Sequence, residues 1–144
     1  MRAVLDTNVI VSATLIRGGN EDRLLRAWQR GVFELVLSPS ILAEIGRTLL
    51  YEKLQNFQWM SAAEITALVE ALGAECLLVP GRIALKVSRD PDDDKFLAAA
   101  IEGRVGYVVS GDKDLLAVEV YQGIRIVRPA VFLAILRGGG KRNP

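Results

Sequence analysis

Five short apolar runs punctuate the chain: Arg2–Asp6, Phe33–Ser38, Cys76–Val79, Gly106–Ser110 and Arg125–Arg128, with helical patterns between them. Most are continuous rather than alternating, the pattern of strands covered on both faces. Strands that alternate with helices predict an α/β domain built on a largely parallel sheet. No repeat or linker divides the 144 residues, so the chain reads as one domain over 1–137, followed by a flexible basic tail over 138–144. Asn20-Glu21-Asp22 caps a helix running to about Arg30, and Ser38-Pro39 opens another. Ser61-Ala62-Ala63-Glu64 has capping-box spacing for a helix stopping near Gly73. Asp92–Asp94 precedes an alanine-rich helix that ends at Gly103, and a last helix follows Pro129.

Composition then narrows the chemistry. The chain has no histidine, which removes Ser-His-Asp and Cys-His catalysis, imidazole bases and His-based zinc sites. Its single cysteine, Cys76, has no partner for an internal disulfide, which suits a reducing, cytoplasmic setting. No run reaches the ~18 apolar residues of a membrane span, and Asp6 interrupts the first run too early for a signal peptide. The net charge of +1 conceals a split. Residues 1–119 hold all 17 acids and 13 bases, whereas 120–144 hold five bases and no acid.

Four acidic positions stand where surface acids are not expected. Asp6 closes the first apolar run, ahead of Thr7-Asn8 and the apolar stretch Val9-Ile10-Val11. Ligands of parallel α/β sheets bind beyond the carboxyl ends of strands, although a helix N-cap accounts for Asp6 equally well. Glu44 lies at the edge of an apolar arc formed by Ile41, Leu42, Ile45 and Leu49, beside Thr48. Asp90-Pro91-Asp92-Asp93-Asp94 puts four acids within five residues, and Leu97 and Ile101 follow Asp94 at i+3 and i+7, so Asp94 sits on a packing face. Ser110-Gly111-Asp112-Lys113-Asp114 repeats the Asp6 arrangement after another buried run. Several carboxylates converging without histidine or cysteine suit Mg²⁺ or Mn²⁺ rather than zinc. Such an ion offers a Lewis acid and a nucleophilic water for phosphodiester cleavage.

Taken in order, these residues resemble the acidic motifs of PIN-domain nucleases. Leu5-Asp6-Thr7-Asn8-Val9, Glu44 in Pro39–Glu44, Asp90–Ala98 and Val109–Leu115 carry the likeness, which extends over about residues 2–135. It is closest to the small VapC-like proteins of toxin–antitoxin systems. The resemblance implies a three-layer α/β/α sandwich on a five-stranded parallel sheet of order 3-2-1-4-5. It implies Mg²⁺- or Mn²⁺-dependent cleavage of RNA, with Asp6, Glu44, Asp94 and Asp112 as catalytic residues and metal ligands. Spacing alone leaves Asp92, Asp93 and Asp94 undecided; the family pattern selects Asp94 and sets Asp93 behind it. Asn8 and Ser110 would orient ligands or substrate, and Asp114 is the weaker of the Asp112/Asp114 pair. Lys95, Lys113 and Arg17 lie nearest the motifs as contacts for an RNA backbone. Expected partners are the RNA substrate, a cognate antitoxin and a second copy of the chain. Leu24, Leu25, Trp28 and Trp59 are apolar residues for such contacts or, more ordinarily, for the core. Two other readings are a non-catalytic binding module on the same fold and a phosphatase using Asp6 as nucleophile. Asn8, where such phosphatases usually carry an acid, weighs against the second.

Overall fold

The computed structural model describes residues 1–139. Strands form at all five apolar runs: β1 (Arg2–Leu5), β2 (Glu34–Leu37), β3 (Leu77–Leu78), β4 (Tyr107–Val109) and, after an extra strand β5 (Val120–Tyr121), β6 (Ile124–Val127), which starts one residue before its run. They make one sheet of order β3-β2-β1-β4-β6-β5. β1 pairs in parallel with β2 (Ala3↔Leu35) on one side and with β4 (Leu5↔Val109) on the other. β3 and β6 extend the parallel sheet outward.

The parallel strands therefore follow the expected 3-2-1-4-5 order, with β6 in fifth place. A sixth strand joins these five, because β5 returns antiparallel along the edge of β6. Its two-residue turn, Gln122-Gly123, has φ +50° and +81°, the left-handed pair that a tight type I′ hairpin requires. Asn-Gly and Asp-Gly announce such turns; Gln-Gly does so only weakly.

Helices flank the sheet: α1 (Thr7–Leu15), α2 (Asn20–Gln29), α3 (Pro39–Leu49), α4 (Glu52–Gln55), α5 (Ala62–Glu75), α6 (Asp94–Glu102), α7 (Lys113–Leu116) and α8 (Pro129–Gly139). Ser38 caps α3 by accepting from Ile41 N, with Pro39 at the first helical position. The Ser61–Glu64 capping box closes in both directions, at 2.9 and 3.1 Å. α1 takes up the stretch Val9–Val11. Apart from Asn8, Ser12 and Leu15 it is buried all round, so it lacks the amphipathic period that marks a surface helix. Helix α8 carries Gly138 and Gly139, and the rest of the expected tail, 140–144, lies outside the described residues.

Leu24, Leu25 and Trp28 are buried in the core. The Trp59 indole donates to Ala13 O at 2.8 Å, beneath the Arg17 guanidinium 5.0 Å from its ring. Among the described residues no helix is long and apolar enough to cross a membrane. Between β3 and α6, residues 80–90 form a strap without helix or strand. Glu102 fixes its first part, accepting from the backbone N–H groups of Gly81, Arg82 and Ile83. Gly81 has φ +71°, and a Cβ there would lie 2.7 Å from Ser38 Cβ, so only glycine fits this approach.

Candidate active site

β1 and β4 are neighbours in the middle of the sheet, and the chain leaves them in opposite lateral directions, toward β2 and toward β6. Their carboxyl ends thus border the crevice where open α/β sheets bind ligands. Asp6 follows β1 directly and is 4% exposed. Its Oδ1 accepts from Asn8 N at 3.2 Å, capping α1, and its Oδ2 accepts from Ser110 Oγ at 2.7 Å. Ser110, fully buried after β4, in turn accepts from Asp112 N at 2.9 Å. One hydroxyl therefore ties the two strand ends together. Asp112 caps α7 by accepting from Leu115 N at 3.3 Å. N-cap and site are not rival roles here: the capping bond fixes the carboxylate while leaving lone pairs free.

The third element is the 3₁₀ turn Pro91–Asp93, capped by Asp90, which accepts from Asp92 N at 3.0 Å. Asp93 enters the crevice from this turn, and its Oδ2 is buried with no hydrogen-bond partner among the described residues. Burial, then its hydrogen bond with Asp112 and repulsion from Asp112, Asp90 and Asp6, pushes the Asp93 carboxyl up to about 8. The same hydrogen bond holds Asp112 below the usual carboxylate range, against the opposing effect of burial. Two carboxylates at such close quarters disfavour being ionised together. Asp6 is raised by burial, opposed by its bonds from Ser110 and Asn8 and reinforced by Asp112 and Glu44.

Glu44 forms the opposite wall. Burial alone would raise its carboxyl, but bonds from Lys95 Nζ (2.7 Å) and the Thr7 hydroxyl lower it. Lys95, expected to be free for a nucleic-acid backbone, is instead paired with Glu44. The resulting cleft of about 260 Å³ is lined by Asp6, Thr7, Asn8, Glu44, Thr48, Asp90, Asp92, Asp93, Lys95, Phe96 and Asp112.

Asp94 does not join them. It is 7% exposed and turned to the strap, accepting from Ser88 N at 2.8 Å and from Val87 N at 3.3 Å. The Asp94 carboxylate thus faces the strap and not the cleft. The 3₁₀ turn ends one residue before α6 begins, so Asp93 projects into the crevice while Asp94 takes the helix's packing face. Asp114 lies in α7 and does not line the cleft, nor do Lys113 and Arg17. Thr7, as the second donor to Glu44, is a site residue that sequence reasoning passed over; its place between Asp6 and Asn8 was the available signal.

As placed, no three acidic side chains among the described residues stand close enough to enclose an ion. The donor set nonetheless fits a hard cation. It is all oxygen, it holds a buried carboxylate oxygen without a partner, and its neighbours Asp93 and Asp112 repel one another. Mg²⁺ needs only one or two protein carboxylates and keeps several waters.

Comparison with known proteins agrees with this geometry. An uncharacterized protein of Methanocaldococcus jannaschii is 31% identical over 117 residues, covering 81% of this chain and 74% of that protein. The sequence profile of the PIN domain matches residues 2–114, a span that contains Asp6, Glu44, Asp93 and Asp112. The chain belongs to the PIN domain family, a family of the nuclease type.

Proposed function

We propose that the protein is an endoribonuclease dependent on Mg²⁺ or Mn²⁺. One observation carries the reading: Asp6, Asp93 and Asp112 arrive from three separate segments at the central crevice, with an oxygen of Asp93 buried and unpartnered. These three would hold the ion, partly through its waters, with Glu44 on the facing wall. Asp94, expected as a ligand, acts instead by fixing the strap from which Asp93 emerges. When bound, the ion would supply a Lewis acid and a water of lowered pKa for phosphodiester hydrolysis.

The chain's own groups do the positioning. Ser110 fixes Asp6 and the loop carrying Asp112 relative to each other. Lys95 and Thr7 keep Glu44 ionised and aimed across the cleft. Asn8, exposed at the rim, offers an amide to a phosphate or sugar. Six acids and one paired lysine line the cleft, so a polyanion enters only if cations offset that charge. An RNA cleavage assay with Mg²⁺ or Mn²⁺ against EDTA, run beside Asp6→Asn and Asp93→Asn, tests this. Cleavage that survives EDTA, or that both variants retain, ends the reading.

A toxin role, with a cognate antitoxin and a homodimer as partners, is the finer form of the proposal. It rests on the likeness to VapC-like proteins. Growth arrest on induction, relieved by a co-expressed neighbouring gene product, supports it; harmless expression reduces it to a general nuclease.

A further inference from the structure

A second cavity, of about 250 Å³, adjoins the acid cleft and shares Asn8 and Asp112 with it. Val9, Ser12, Glu21, Gly111 and Pro129 complete its wall. Ser12 stands one turn beyond Asn8 on α1, and these two belong to the only strip of that helix that is not buried. Glu21, in the first turn of α2, is half-buried and makes no hydrogen bond or ion pair with the described residues. Its neighbour Asp22, by contrast, is paired with Arg26 and bonded by Gly18 N.

A small cavity that shares Asp112 with the carboxylate cluster, its wall part polar and part apolar, suits the nucleotide next to the bond being cut. Its chemistry suits a base more than a phosphate. Glu21 would repel a phosphate, whereas an ionised carboxylate accepts from the amino group of cytosine, adenine or guanine. Uracil has no amino group, and its one edge donor, N3–H, is flanked on both sides by carbonyl oxygens that such a wall repels. The Ser12 hydroxyl and Asn8 amide can donate to the ring nitrogen or carbonyl beside that amino group. We infer that this cavity is a base-selecting pocket for the nucleotide flanking the scissile phosphate, with Glu21 choosing amino-bearing bases over uracil. The inference rests on the nuclease reading and goes beyond it, by naming what the enzyme recognises.

The test uses the full-length protein with Mn²⁺ and a random-sequence RNA pool, sequencing the ends produced. Wild type should deplete uracil at one position flanking the cut, on the order of 10-fold, the discrimination one good base contact provides. Glu21→Gln, which adds a donor, should bring uracil back to parity at that position, and Ser12→Ala should weaken the preference less. A thermal melt establishes that each variant is folded. Binding of free cytidine and uridine, followed by NMR at the Asn8 and Ser12 amides, reads the pocket without any cleavage. Cytidine should shift both amides in the wild type and neither in Glu21→Gln. Cleavage with no base preference, or a preference that Glu21→Gln leaves intact, overturns the pocket while the nuclease reading stands. If wild type cuts nothing in the pool, the nuclease reading falls and the pocket's role falls with it.

Discussion

Two groups of carboxylates lie within a few residues of each other and are treated in opposite ways. In the central crevice, Asp93 and Asp112 repel one another, and Asp93 Oδ2 is buried without a donor. Along the strap, Asp94 and Glu102 between them accept from five backbone N–H groups, those of Gly81, Arg82, Ile83, Val87 and Ser88. Residue type does not separate the groups, and neither does position, since Asp93 and Asp94 are adjacent. What separates them is whether the fold supplies donors. A buried carboxylate with donors stabilises the fold, while one without them costs stability until something cationic arrives.

The largest expected effect breaks the crevice. Asp93→Asn should lower RNA cleavage on the order of 10²–10³-fold, the rate equivalent of the several kcal/mol a bound metal contributes to hydrolysis. The same variant should melt no lower than wild type in EDTA, because it removes a carboxyl that Asp112, Asp90 and Asp6 repel and keeps a polar group of the same shape. A loss of stability as large as the loss of activity would erase the distinction drawn above.

Next comes the response to metal. Ligand bound only to the native state at 100 times its Kd adds about 2.7 kcal/mol, so wild type should melt several degrees higher in saturating Mn²⁺ than in EDTA. Asp93→Asn and Asp112→Asn should lose most of that rise, and Glu102→Gln should keep it. Differential scanning fluorimetry across a Mn²⁺ series is sufficient to see the contrast.

Asp94→Ala should lower stability, which Asp93→Asn leaves intact. Stripped of their acceptor, the Val87 and Ser88 N–H groups should cost roughly 1–3 kcal/mol, read by urea unfolding. Cleavage should fall too, through loss of the strap that sets Asp93, while Asp94→Asn, which still accepts a hydrogen bond, should recover much of both. Were Asp94→Ala fully stable but inactive, Asp94 would belong to the crevice after all.

Much of this division was legible in the sequence. Asp6 and Asp112 stand out because each closes an apolar strand run, and Glu44 because it borders an apolar arc. The helical period also placed Asp94 on a packing face, through Leu97 and Ile101, before any resemblance moved it into the ligand set. Hidden from sequence was the 3₁₀ turn that separates Asp93 from Asp94 by a change of direction rather than by spacing. The bonding of Lys95 to Glu44 was equally hidden, because it joins residues 51 apart whose meeting depends on how α3 and α6 pack on the sheet. Strand-end acids announce themselves locally; pairings across helices do not.

The smallest effect tests the strap end that lies farther from the crevice. Glu102 is held below the usual glutamate range: burial opposes this, and the N–H groups of Gly81, Arg82 and Ile83 together outweigh it. A carboxylate whose folded pKa is depressed stabilises fully above its unfolded value, near 4.5, and loses that contribution as pH falls through the lower folded value. Because Glu102 is open to solvent, screening keeps the contribution below about 1 kcal/mol. Glu102→Gln should therefore be slightly less stable than wild type in urea at pH 7, and the gap should close below pH 4.5. Gly81 and Ser38 are in close contact, so the strap's first part stays seated when Glu102 is neutral. Metal-dependent cleavage at pH 7 should then stay within about twofold of wild type. A Glu102→Gln protein as inactive as Asp94→Ala would mean that the whole strap moves as one piece, and that both of its acids serve the crevice.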